Sequence, residues 1–192
     1  MDYLTVNLTG ESPLLMHSDA GLSPLHPISR KQAEMNARPV KEKKTTEFVL
    51  EMARLDWELA LYFDEKEGPV LPAQMLEAMI RDSAKAEKLG SEVKRSVRVT
   101  DFTIPLQYDG PRDKKGLWKS ERFFDSRGVK IGQSRVLRTR PMFEEWAVEF
   151  NVEFEPEFIE RDTLTRLIEI GGRRVGLGDY RPRFGRFSAS FK

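Results

Sequence analysis

The chain has 192 residues, a net charge of +1, no cysteine and two histidines, His17 and His26. That length suits one well-buried core carrying insertions, and the composition excludes disulfides, thiolate zinc sites and histidine-rich metal centres. No apolar run is long enough to span a bilayer and no basic-then-apolar leader opens the chain, so the expectation is a single-domain, soluble, cytoplasmic protein with no metal, cofactor or membrane partner.

In chain order, Leu4, Val6 and Leu8 alternate with Thr5, Asn7 and Thr9, the period of a half-buried strand. Residues 16–56 show little periodicity and hold Pro24, Pro27 and Pro39; they read as a long excursion with a short helix near Arg30 to Asn36 and a helical stretch from Glu47 to Leu55. Trp57, Leu59, Leu61 and Phe63 alternate like a second strand. Pro72 suits the first turn of a helix in which Leu76, Met79, Ile80 and Ala84 share a face, with a stop expected near Leu89 and Gly90. Val93 to Leu106 is rich in β-branched residues and predicts a long strand bearing Lys94, Arg95 and Arg98.

Residues 107–140 are basic, contain Trp118, Phe123 and Phe124, and read as an inserted hairpin or arm. Trp146, Val148, Phe150, Val152 and Phe154 give the cleanest alternation in the chain and predict a core strand. A helix over Arg161 to Ile170 and a last strand through Phe187, Ala189 and Phe191 follow. Without its two insertions (16–56 and 107–140), the chain predicts an α+β fold of the ferredoxin-like or RRM-like kind. That is a βαββαβ antiparallel sheet with two helices on one face, and the open face of such a sheet is a common platform for single-stranded nucleic acid.

Charge is unevenly placed. Basic residues crowd the stretch from Lys94 to Arg140, including Arg112, Lys114, Lys130 and Arg135, while acids fill Glu144 to Asp162. A basic tail follows, which suggests one positive face and an opposed negative one. Residues 170–187 hold five glycines and five arginines, Arg173, Arg174, Arg181, Arg183 and Arg186. Glycine lets backbone approach a ligand closely and guanidinium grips phosphate bidentately, so an extended anion is the first candidate ligand. In that reading the arginines gather on the open side of the sheet and hold phosphates, the amides of Gly176 and Gly178 assist, Tyr180 or Phe184 stacks a base, and Lys94, Arg95 and Arg98 extend the track. The competing reading makes the glycines turn residues and Phe187 a core residue.

Two stretches resemble the RAMP superfamily, the RNA-binding proteins that include backbone and RNA-processing subunits of CRISPR effector complexes. Gly68-Pro-Val-Leu-Pro-Ala-Gln-Met-Leu-Glu-Ala-Met-Ile-Arg81 is similar to that family's pattern leading into its first helix. Gly171-Gly172, Gly176-Leu-Gly178 and Phe184-Gly185-Arg186-Phe187 are similar to its glycine-rich loop before the final strand. Ala73, Gln74, Glu77 and Ala78 depart from the first pattern. Asp179 to Pro182 interrupt the second, in the form that looks like the variant of phage-encoded members. The resemblance implies the βαββαβ core, an RNA groove at the glycine loop and first helix that includes Arg81, and copies or RAMP-type partners assembled along a strand.

It also bears on catalysis. Some family members cut RNA with an aspartate in the loop after the first strand, where this chain reads Leu25-His26-Pro27; Asp19 is the acid nearby. Others use a histidine as general acid or base, for which His17 and His26 are the candidates. The leading expectation is a non-catalytic binder of single-stranded RNA, ahead of DNA, possessing no cofactor. The alternatives are an interaction protein or phage-encoded mimic acting on a host defence complex, and a RAMP-like endoribonuclease.

Overall fold

The computed structural model describes residues 1–132 and 134–192, and of Ile131, Ser134 and Arg135 only the backbone, so the Arg135 side chain of the expected arm lies outside the described residues. The elements are β1 (Asp2–Gly10), β2 (Leu14–Leu15), α1 (Pro27–Asn36), α2 (Thr46–Ala60), β3 (Phe63–Asp64), β4 (Gly68–Pro72), α3 (Ala73–Ala84), α4 (Gly90–Ser96), β5 (Val97–Val99), β6 (Thr103–Pro105), α5 (Lys114–Lys119), β7 (Phe124–Ile131), β8 (Ser134–Phe143), β9 (Ala147–Phe154), α6 (Arg161–Ile170) and β10 (Phe187–Phe191). They group into two compact units, residues 1–15, 63–110 and 143–192 in one, and 16–62 and 111–142 in the other. The two excursions read from the sequence thus come together as the second unit. No helix among the described residues is long and apolar enough to cross a membrane.

The first unit holds a four-stranded antiparallel sheet in the order β10-β1-β9-β5. With α3 between β1 and β5, and α6 between β9 and β10, this is the predicted ferredoxin-like arrangement. Leu4, Val6 and Leu8 of β1 and Val148, Phe150, Val152 and Phe154 of β9 are all buried, as are Leu76, Met79 and Ile80 of α3 and Leu164, Leu167 and Ile168 of α6. Strand residues of alternate position face one side of the sheet, and the two helices pack beside each other. Each large apolar side chain so covered contributes about 1.5–3 kcal/mol relative to exposure. The other face carries Tyr3, Thr5, Asn7, Glu149, Asn151 and Glu153.

Three sequence expectations change here. Trp57 to Phe63 is not a strand: α2 continues to Ala60, started by the Thr45 hydroxyl accepting from the Phe48 N–H. Trp57, Leu59 and Ala60 are all buried, so its end is covered on more than one side and its apolar residues alternate by coincidence. The stretch from Val93 to Leu106 divides into the end of α4, then β5 and β6: the chain stays helical through Ser96, whose Oγ donates to Glu92 O, and becomes extended only at Val97. Lys94 and Arg95 therefore stand on a helix. Helix α3 stops at Ala84 rather than near Gly90, with Lys88 at φ 63° taking the left-handed position expected of the glycine and Gly90 opening α4 instead.

In the second unit Pro27 starts α1 rather than interrupting the chain, the first helical turn being where a missing N–H is harmless. Strands β7 and β8 form the expected hairpin, preceded by the short α5. Trp57 is 1% exposed, donates its indole N–H to Phe123 O at 2.8 Å, and meets Trp118 edge-on at 5.5 Å between ring centres. Burial pushes the Asp56 carboxyl above its ordinary range, and Arg138, 3.1 Å away, opposes the shift. Replacing Trp57 by Phe keeps most of the apolar volume but removes one of two donors to the Phe123 carbonyl, which also accepts from the Met142 N–H at 3.3 Å. The substitution is expected to destabilise the protein by about 0.5–1.5 kcal/mol, read by urea unfolding.

Candidate nucleic-acid interface

Helix α6 runs into a π turn over Gly171–Val175, and the chain then folds back on the segment that leaves β1. The Asp179 N–H donates to Leu15 O at 2.7 Å, the Gly185 N–H to Pro13 O at 2.8 Å and the Arg186 N–H to Ser12 Oγ at 2.9 Å. Within the loop the Leu177 N–H donates to Gly185 O at 2.9 Å. That docking dictates two glycines. Gly178 has φ 75° and a Cβ there would lie 2.2 Å from Leu15 O; Gly185 has φ 71° and a Cβ would lie 1.8 Å from Leu177 O. No L side chain fits either place. The close approach that the glycines permit is therefore to the protein's own backbone. The Gly176 N–H, expected to assist at a phosphate, is instead donated to Gly171 O at 2.8 Å.

With its backbone tied down, the loop turns its arginines outward. Arg173, Arg174, Arg181, Arg183 and Arg186 are all exposed, and among the described residues none has a carboxylate within 4.0 Å. They form two groups on either side of Pro182. Arg173, Arg183 and Arg186 line an open trough of about 770 Å³ with Pro13 and Phe184, and no acid lines it. Arg174 and Arg181 line a second of about 510 Å³ together with Tyr180, Asp82 and Asp179. Tyr180, at φ 53°, is 43% exposed, and its ring lies 6.5 Å from that of Phe184. The Lys85 ammonium, 2.7 Å from Asp82, holds that carboxyl below its usual range, with Arg81 and Arg181 adding to the effect. The first trough is the more positively charged of the two, since guanidinium there is not offset by acid.

The remaining sequence candidates are scattered. Arg81 lies 3.6 Å from Asp82, beside the second trough. Lys94 and Arg95 are exposed on α4 and line neither trough, and Arg98, on β5, lines a separate cleft. The arginine loop stands where β1 ends and β10 begins, with Gly10 opposite Phe187. Phe187 is buried, as the competing reading had it. In the second unit the His26 ring accepts from the Ile28 N–H and caps α1; the His17 ring accepts from Arg140 Nε at 3.2 Å; and exposed Asp19 opens a 3-10 turn. Sequence reasoning missed the loop's dock, Ser12 to Leu15, whose signal was the short apolar Pro13-Leu14-Leu15 run directly after the first strand. It also missed Asp82, which only the fold brings to the arginines.

No family model matches the chain and no curated protein matches it. Among solved structures it is similar to a chain of the cryo-EM structure of the Type III-B Cmr-beta bound to cognate target RNA, with a TM-score of 0.51 and 12% identity over 99% of this chain and 59% of that one. The chain thus spans less than two thirds of that neighbour's length. The crystal structure of Cmr4 aligns over 100% of this chain and 99% of that one, with a TM-score of 0.45 and 10% identity. At 12% identity the first likeness establishes the fold, which is the one implied by the two RAMP-like motifs.

The different duties of glycine and arginine in this loop can be separated by unfolding measurements. Gly185→Ala, which forces a side chain into Leu177 O at a positive φ, is expected to destabilise by at least about 1–3 kcal/mol. Arg183→Ala removes an exposed side chain and is expected to change stability by no more than about 0.5 kcal/mol.

Proposed function

We propose that this protein binds single-stranded nucleic acid, RNA ahead of DNA, without cutting it, and that Arg173, Arg183 and Arg186 hold the phosphates. One observation carries the reading: a loop fixed by its backbone presents three guanidiniums around a single trough that no acid lines. Guanidinium groups that are already immobile at the backbone lose less freedom on gripping a phosphate, and three around one trough can meet more than one charge of a single strand. Arg174 and Arg181 add a weaker second patch, partly neutralised by Asp82 and Asp179, so the strand enters by the first trough. The exposed ring of Tyr180 supplies a surface for a base. The structural neighbour is a chain from an assembly bound to cognate target RNA, which favours RNA as the ligand here as well.

The non-catalytic part of the proposal is supported by the engagement of both histidines. His26 is committed to a helix cap and His17 to Arg140. Partners of the RAMP type, or further copies along the strand, belong to the same proposal; an interaction protein acting on a defence complex is the rival, and would leave the arginines without affinity for an oligonucleotide.

Fluorescence anisotropy with a labelled uridine 20-mer, repeated over a range of salt, tests the reading. Each phosphate neutralised on a single strand contributes about 0.7 to the slope of log affinity against log salt. The combined Arg173→Ala, Arg183→Ala and Arg186→Ala variant is expected to lower the slope by about 2 at three such contacts, with the strand recovered uncut. Equal slopes for the two proteins, or no binding at low salt, would overturn the proposal.

A further inference from the structure

A separate cleft, of about 660 Å³, lies in the same unit where α3 begins and β5 ends. Its chemistry differs from that of the arginine troughs. Tyr3, Glu153 and Arg98 are direct cross-strand neighbours on β1, β9 and β5, so the three side chains stand in one row on one face of the sheet. Beyond the row the turn after β5 puts Phe102 on the rim, its carbonyl accepting from the Ala73 N–H at 2.9 Å. Phe102 is 85% exposed and Tyr3 is 62% exposed, an uneconomical placement for two aromatic rings unless something flat covers them. Glu77 of α3 completes the lining; one of its oxygens accepts from the Val99 N–H at 3.0 Å, which fixes the carboxylate in place. Among the described residues, the side chains of Gln74, Arg98 and Glu153 have no hydrogen-bonding or ionic partner.

We propose that this cleft takes a guanine base. Two carboxylates and one guanidinium leave it with a net negative charge, which disfavours a phosphate and favours a ligand with donors to offer. Guanine presents two acceptors, N7 and O6, on one edge, and two donors, the N1–H and the 2-amino group, on the adjacent one. Arg98 matches the first edge bidentately, and a carboxylate of Glu153 or Glu77 matches the second. Adenine, cytosine and uracil lack that combination. Tyr3 and Phe102 supply stacking faces, as aromatic side chains do for bases splayed from single strands. The inference rests on the single-strand reading only for the source of the base: a nucleotide of the bound strand or a free guanine nucleotide would meet the same chemistry.

Two labelled 20-mers distinguish these possibilities, one of uridine alone and one with a single central guanosine, together with calorimetric titration of GMP and UMP. The guanosine strand is expected to bind about tenfold more tightly, within what one bidentate base contact discriminates. Glu153→Gln and the double variant Tyr3→Ala with Phe102→Ala are each expected to abolish the difference while leaving the uridine strand's affinity and salt slope unchanged; Tyr3→Phe retains it. A preference seen in the strand without uptake of GMP assigns the base to the strand, and uptake of GMP over UMP assigns the site to free nucleotide. GMP uptake with neither strand bound upholds the guanine cleft and removes the arginine-loop reading. Equal binding of the two strands with no GMP uptake overturns the cleft and leaves the arginine loop standing.

Discussion

The candidate interface depends on hydrogen bonds from backbone amides between two segments distant in sequence. The turn after α6 gives its Asp179 and Gly185 amides to Leu15 and Pro13, and its Arg186 amide to Ser12. Three such bonds are individually worth about 1 kcal/mol, but they act on a stretch that would otherwise be free to sample many conformations. Their geometric requirement, backbone against backbone at positive φ, selects glycine at 178 and 185. Nothing about a ligand needs to be invoked to explain those glycines. The arginines of the loop are the part that the fold does not explain: among the described residues none has a carboxylate within 4.0 Å, and exposed side chains so placed add little to stability.

Fold and charge are joined at the end of the sheet. The paired strands β1 and β10 bring Gly10 opposite Phe187, and the Trp146 indole, donating to Ser12 O at 2.9 Å, holds the segment on which the loop is laid. The core beneath, Leu4, Val6 and Leu8 against α3 and α6, makes that platform rigid. Side chains projecting from an anchored loop keep their spacing, which is what multidentate recognition of a polyanion requires. Acids nearby refine this: Asp82 and Asp179 reduce the charge on one side of Pro182 and leave the other side fully positive.

The sheet order was legible because its strands are half-buried and alternate cleanly; β1, β9 and β10 keep the period of two that their sequence shows. The helix α6 was legible to its ends for the parallel reason, an apolar face at helical spacing bounded by Gly171. Reading failed where burial is two-sided. Trp57 and Leu59 alternate in sequence yet lie on a helix, since both are covered by different neighbours in the second unit. It failed again where a short helix abuts a strand: α4 has only seven residues, so its period is too brief to stand out from the valines that follow. The arginine loop was recognised by composition, but its division into a purely basic trough and a mixed one depends on Asp82, a hundred residues upstream, whose proximity no local pattern records. Likewise the row of Tyr3, Glu153 and Arg98 exists only through the register of three strands.

The account turns on where a bound strand runs. Photo-crosslinking of a 4-thiouridine oligonucleotide to the intact protein, followed by mass spectrometry of the linked peptides, locates it directly. The predicted result is crosslinks concentrated in the peptides spanning 173–186 and the Ser12 to Leu15 segment beneath them. Crosslinks confined to the hairpin of β7 and β8, or to α4, with none in the arginine loop, would contradict it.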